Sequence, residues 1–104
     1  MSVKEITSSS EYKNVITQSG LVVVDFKANW CFPCNKIAPK VAELAIAYPS
    51  AHFYKVDVDK LQDVAASTGV TSMPTFLFFK DGKHIDTVVG ANLSILKKKV
   101  DLYA

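Results

Sequence analysis

Leu21-Val22-Val23-Val24-Asp25-Phe26, then Lys27-Ala28-Asn29, then Trp30-Cys31-Phe32-Pro33-Cys34, is the stretch on which the reading of this chain turns. Its first six residues are apolar and β-branched without alternation, the pattern of a strand buried on both faces of a parallel sheet. Beyond the cysteines, Ile37, Val41, Leu44, Ala45 and Tyr48 recur on one helical face and Pro49 stops the run, which predicts a helix from about Cys34 to Tyr48. The cysteine pair therefore lies between a central strand and a helix start.

Toward the N-terminus, Val3 to Ile6 is strand-like. Ser8 and Glu11 have the spacing of a capping box, Tyr12, Val15 and Ile16 repeat at helical spacing, and Gly20 ends that short helix. Toward the C-terminus, Phe53, Tyr54, Val56 and Val58 predict a strand. Asp59 with Gln62 resembles a helix cap, Leu61, Val64 and Ala65 give the helix its face, and Gly69 closes it. Thr75 to Phe79 and Ile85 to Val89 are joined through Lys80-Asp81-Gly82-Lys83, and Asp-Gly predicts an antiparallel hairpin. Asn92 caps a last helix whose buried stripe is Leu93, Leu96, Val100 and Tyr103, with Lys97, Lys98 and Lys99 as its solvated face. The sum is an α/β domain over residues 1–104, with a mixed five-stranded sheet, parallel then antiparallel, and helices on both sides.

The 104 residues, 49% of them hydrophobic, are enough for one core and too few for two domains. Apolar runs such as Leu21 to Val24 and Phe76 to Phe79 are far short of the about 20 residues a membrane span needs, so no membrane partner is expected. Twelve basic against ten acidic residues give a net charge of +2, too balanced for a phosphate-neutralising face, so nucleic acid is not an expected partner. Met1 to Ile6 has no basic region leading into an apolar core, and the expected compartment is the cytosol.

Cys31 and Cys34 would close only a tiny loop as a disulfide, so the pair is better read as chemistry than as a staple. At a helix N-terminus the first sulfur meets unsatisfied N–H groups and the positive dipole end, which lowers a thiol pKa from about 8.5 into the range of about 3.5 to 7.5. An exposed Cys31 thiolate can then attack a disulfide, and Cys34 can resolve the mixed disulfide. Zinc would need two more ligands, and His52 and His84 are not at structural zinc spacings. They read as surface strand residues, and neither has the orienting partner of a Cys-His protease. An inert buried pair is the remaining alternative, disfavoured by Pro33 and the adjacent Trp30 at a loop-to-helix junction.

Asp25 is a carboxylate inside an apolar strand, where desolvation raises its pKa unless a cation pairs with it. It can accept the Cys34 proton. The alternative is a strand-end Asp facing solvent, and Lys55 on the neighbouring strand is a candidate partner. Met73-Pro74-Thr75 opens the hairpin, where a Pro at the first strand position is tolerated. Pro39 removes one hydrogen bond from the long helix and is read as structural shaping. No Gly-x-Gly-x-x-Gly is present, so no nicotinamide or flavin site is expected.

With Trp30-Cys31-Phe32-Pro33-Cys34 in place, the chain resembles the thioredoxins, most closely the small cytosolic ones of fungi. The resemblance runs almost end to end. It includes Val22 to Phe26, Ile37-Ala38-Pro39, Phe53 to Asp59, Met73-Pro74-Thr75, Phe79 to Lys83 and Val88 to Asn92. It implies the thioredoxin fold, Cys31 as nucleophile, Cys34 as resolving cysteine, Asp25 as the carboxylate assisting Cys34, and a cis Pro74 beside the pair. It also implies a substrate groove over Trp30, Phe32, Pro33, Met73, Pro74, Gly90 and Ala91, with substrate backbone bound in part at Met73. Implied partners are an NADPH-dependent thioredoxin reductase, peroxiredoxins, methionine sulfoxide reductase and ribonucleotide reductase, acting on a monomer that binds no cofactor and no metal. Three positions depart from the family: Phe32 replaces the usual Gly, Asn35 the usual Lys, and Lys27 stands where many members carry Trp. They bear on substrate range, reductase recognition and potential. The expected activity is protein-disulfide reduction. A more oxidising oxidase or isomerase-like member, or a non-catalytic binding subunit, are the alternatives.

Overall fold

The computed structural model describes residues 2–104. The strands are β1 (Lys4–Glu5), β2 (Leu21–Lys27), β3 (His52–Asp57), β4 (Thr75–Lys80) and β5 (Lys83–Val89), and the helices are α1 (Ser9–Val15), α2 (Phe32–Ala47), α3 (Gln62–Thr68) and α4 (Leu93–Tyr103). They form one sheet in the order β1-β3-β2-β4-β5. β3 runs parallel to β1 and β2, whereas β4 runs antiparallel to both β2 and β5. The thioredoxin fold and the parallel-then-antiparallel sheet are thus as the sequence implies. β2 is central, and its first six residues are buried.

Strand alternation divides the core in two. Leu21 and Val23 of β2 face α2 and α4, packing with Phe53, Phe76 and Phe78 against Ile37, Val41, Leu44, Leu96 and Val100. Val22, Val24 and Phe26 face α1 and α3, packing with Val56 and Phe79 against Tyr12, Val15 and Val64. Each fully buried side chain of this kind contributes about 1.5–3 kcal/mol of transfer free energy. Because β2 runs toward its loop and α2 runs back over the sheet, the first turn of α2 lies above the C-terminal end of β2.

Local chemistry explains the ends. Ser8 Oγ accepts the Glu11 N–H at 3.1 Å, while the Glu11 carboxylate turns back to the Thr7 N–H at 2.8 Å, one residue short of a full capping box. Asp81 and Gly82 both have positive φ, 51° and 84°, as a two-residue type I′ hairpin demands. Gly69 closes α3 in the left-handed conformation. Asn92 caps α4, its side chain accepting the Ile95 N–H at 3.1 Å.

Three expectations change. α2 begins at Phe32, two residues before the predicted start, because Cys31 is its N-cap and Pro33 sits in the first turn, where a missing N–H is harmless. Asp59 does not cap α3: the N-cap is Leu61, without a side-chain cap bond, and the Asp59 carboxylate is used elsewhere. Lys99 is not part of a solvated face, since its ammonium lies 2.6 Å from Asp86 Oδ2 on β5, an oxygen that also accepts the Tyr103 hydroxyl at 2.7 Å.

Candidate active site

β2 carries Asp25 and Lys27 near its C-terminal end, and beyond it the chain turns through Trp30 and Cys31 into α2 at Phe32. The N–H groups of that helix's first turn have no carbonyl partners of their own. Cys31 supplies one, its Sγ accepting the Cys34 N–H at 3.3 Å. Cys31 and Cys34 are joined as a disulfide with their Cα atoms 5.3 Å apart. Two exposed aromatics flank Cys31, Trp30 at 69% and Phe32 at 73%.

Cys31 is itself only 5% exposed, which corrects the expectation of an exposed sulfur. Its side chain is bonded to Cys34 and packed with Ala28 and Met73, so the residue as a whole is covered although its neighbours are not. The peptide bond between Met73 and Pro74 is cis, as the resemblance implies. The Met73 carbonyl oxygen is 3.7 Å from Cys31 Sγ, and the Gly90 N–H donates to the Pro74 carbonyl at 2.8 Å. Trp30, Met73, Pro74 and Gly90 are thereby gathered around the cysteines. Phe32, Pro33 and Ala91 belong to an adjoining open groove of about 480 Å³, with Lys36 and Lys40 on its wall.

Asp25 is 6% exposed, and its Oδ1 has no hydrogen-bond partner among the described residues. Burial pushes its pKa from 3.8 up to about 7, against the opposing pull of the Lys27 and Lys55 ammonium groups. The solvent-facing alternative for Asp25 is therefore wrong. Asp25 shares the sheet face of Val23, beneath α2, and in the register it stands directly opposite Lys55. Asp25 and the first turn of α2, with Cys34, occupy the same end of that face. His52 and His84 are exposed strand residues remote from the pair.

Sequence reasoning missed Asp57 and Asp59. The Asp59 carboxylate accepts the Trp30 indole N–H at 2.8 Å, orienting an otherwise exposed ring. Asp57 is 3% exposed, with Lys27 Nζ 4.0 Å from its Oδ2. The signal was present: Lys55-Val56-Asp57 in β3 repeats, with the order of charges reversed, the Asp25-Phe26-Lys27 alternation of β2. Lys27 also donates to Asn29 Oδ1 at 2.8 Å, and Asn35 Nδ2 donates to the Asn29 carbonyl at 3.0 Å. Asn35 thus ties α2 to the loop.

The thioredoxin family model matches residues 3–101. The chain belongs to the thioredoxin family. It is 50% identical over 92 residues to Thioredoxin-2 of Pyricularia oryzae, covering 88% of this chain and 54% of that protein, so it spans about half of that relative's length. It is 47% identical to Thioredoxin-1 of Schizosaccharomyces pombe, covering 94% of this chain and 95% of that one. Among solved structures, Plasmodium falciparum thioredoxin superposes with a TM-score of 0.94 at 46% identity, covering 98% of this chain and 100% of that one. A second, at TM-score 0.91 and 39% identity over 95% of this chain and 93% of that one, comes from work on thiol resolution in a yeast mitochondrial 1-Cys peroxiredoxin through glutathione and thioredoxin systems. With the Cys31–Cys34 disulfide in place, this thioredoxin is a thiol-disulfide oxidoreductase whose partners are disulfide-bearing proteins. The family's redox chemistry resides in the cysteine pair. Among the described residues no cluster of three or more His, Cys, Asp or Glu converges to hold a metal, and no helix is long and apolar enough to cross a membrane.

Proposed function

We propose that this thioredoxin works as a general protein-disulfide reductase, with Cys31 attacking and Cys34 resolving. The observation that carries the assignment is Cys31 at the N-cap of the 16-residue α2, its sulfur receiving the Cys34 N–H. An N–H bond and a helix dipole both favour the thiolate over the thiol. In the reduced protein the Cys31 thiolate forms a bond to one sulfur of the substrate disulfide, whose S–S bond breaks and releases a thiolate. Cys34 then loses its proton to the Asp25 carboxylate and attacks Cys31 Sγ. The mixed disulfide breaks, the second substrate thiolate leaves, and two electrons have passed to the substrate. Support for Asp25 as the base is its burial under α2 and a pKa near 7, where it exchanges a proton without a large energy gap.

The substrate segment lies across Trp30, Met73, Pro74 and Gly90, with backbone bonds at Met73, while Phe32, Pro33 and Ala91 receive an apolar side chain beside the disulfide. A separate NADPH-dependent thioredoxin reductase regenerates the dithiol. Peroxiredoxins, methionine sulfoxide reductase and ribonucleotide reductase are the substrate proteins of this reading, and the peroxiredoxin context of the structural relative supports the first of them. The molecule acts as a monomer in the cytosol, where the ambient thiol poise keeps a donor dithiol reduced. Phe32 favours one second reading, an oxidase or isomerase-like member with a more oxidising disulfide.

The test is a Cys34→Ser variant mixed with a disulfide-bonded protein such as insulin: a covalent adduct through Cys31 should accumulate, and none should form with Cys31→Ser. Equal insulin reduction by wild type and Cys31→Ser would overturn the mechanism. A reduction potential well above the glutathione poise of about −220 to −260 mV would select the oxidase reading.

A further inference from the structure

Beneath the first turn of α2 four charges stand at the corners of a square. Asp25 and Lys27 are two residues apart on β2, Lys55 and Asp57 two apart on β3, and the register sets Asp25 against Lys55 and Lys27 against Asp57. Strand alternation puts all four on the face that carries Val23 and Phe53 and that α2 covers. Every edge joins opposite charges, and both diagonals join like charges. Edges are about 5 Å across the strands and about 7 Å along them at the backbone.

The inner pair is Asp25, the base of the proposed mechanism, and Lys55 opposite it in the register. The outer pair is held in its own right. Lys27 Nζ is 4.0 Å from Asp57 Oδ2 and donates to Asn29 Oδ1, while Asp57 Oδ1 accepts the Asp59 N–H at 2.9 Å. Other elements add little charge to this face. Glu5 of β1 stands opposite Lys55 in the register from the far side, and its carboxylate pairs with Lys60 at 3.7 Å. β4 places Phe76 across from Asp25, the buried positions of α2 are Cys34, Ile37, Val41, Leu44 and Ala45, and its Lys36 and Lys40 are exposed.

We propose that Lys27 is a positioning residue of the exchange reaction: its ammonium, fixed by Asp57 and Asn29, sets how readily Asp25 takes and returns the proton of Cys34. This rests on the reading of Asp25 as the base for Cys34. An uncharged aromatic at position 27 would leave Asp57 buried without its cation and Asp25 with Lys55 alone.

The square makes a prediction of sign that a merely structural Lys27 does not. The Asp25 carboxyl is titrated by carbon NMR in the oxidised protein, in wild type, Lys27→Met, Lys27→Arg, Asp57→Asn and the double variant Lys27→Met with Asp57→Asn. Lys27→Met should raise the Asp25 midpoint by about 0.5 to 1 pH unit, and Asp57→Asn, removing a like charge, should lower it by a smaller amount. Lys27→Arg should stay within about 0.3 pH unit of wild type, and the double variant should fall between the singles. An unmoved midpoint in Lys27→Met, or equal signs for the two single variants, overturns the proposal. If Lys27→Met does not fold, Lys27→Gln replaces it, and Asp57→Asn alone still tests the sign. The pH profile of mixed-disulfide resolution, followed in parallel, separates the two readings. Midpoints that move while the profile stays put would sink Asp25 as the base and leave the coupling intact; a profile that moves with the midpoint supports both.

Discussion

Asp25→Asn should stabilise the oxidised protein, by an amount that depends on pH. A buried carboxylate whose pKa rises from 3.8 to about 7 favours its protonated form in the fold. The unfolded chain ionises near 3.8 and the folded one near 7, so folding is unpenalised below pH 4. A growing cost appears as pH rises, reaching its full value above pH 7. At about 1.4 kcal/mol per pH unit the ceiling is about 4 kcal/mol, and relaxation around the charge reduces it to roughly 2–4 kcal/mol. The amide has the shape of the carboxyl and never ionises, so the substitution removes this cost and keeps the packing. Thermal unfolding of both oxidised proteins between pH 4 and 9 provides the assay. The variant should melt close to wild type at pH 4, about 10 °C higher at pH 8, and with no further gain at pH 9. A gain constant across pH would mean that packing, not ionisation, is responsible. A variant less stable than wild type at pH 8 would refute the claim that Asp25 is costly when charged. The same substitution should slow resolution by Cys34, setting stability against function at one residue.

Two further outcomes follow from the same structure. Phe32→Gly should leave the fold intact, because the ring is 73% exposed, and should raise KM about fivefold for disulfide substrates with an apolar flanking residue, as expected for losing about 1 kcal/mol of apolar contact; a small aromatic disulfide reduced at the unchanged rate serves as control. Asp86→Ala should lower stability at pH 7 by about 1–2 kcal/mol through loss of the Lys99 and Tyr103 ties between β5 and α4. Those bonds hold the Asp86 pKa down at about 2, so the ties contribute fully above pH 4 and fade as pH falls toward 2, and chemical unfolding at pH 2 and 7 should show the difference between variant and wild type shrinking in acid.

Elements built on repetition were legible in the sequence. The unalternating Leu21 to Phe26 run, the helical stripe from Ile37 to Leu44 and the Asp81-Gly82 turn each have a single physical solution, and each is found where the pattern predicts it. Side chains that choose between local and distant partners were not legible. Asp59 is three residues before Gln62 and looks like a cap, yet its carboxylate goes to the Trp30 indole 29 positions away. Lys99 looks like one of three solvated lysines, yet a bulge between Phe78 and Phe79 brings Asp86 into line with Phe78, and Asp86 takes the ammonium. The start of α2 was missed for a related reason: a cysteine is not a usual cap, and only the Cys34 N–H pointing at Cys31 Sγ reveals it as one.

That last error bears on the chemistry. With α2 beginning at Phe32 and not at about Cys34, Cys31 caps the helix directly and its sulfur takes the Cys34 N–H. Capping by Cys31 moves the N–H field two residues back along the chain. On the proposed mechanism the helix favours the first sulfur as an anion in the reduced protein, while the second, inside the helix, gives its proton to Asp25. In the proposed mechanism one helix boundary sorts two chemically identical side chains into attacker and resolver. If the charges under that boundary govern the second step as proposed, replacing Lys27 should register in the proton transfer at Cys34 and leave the attack by Cys31 unchanged.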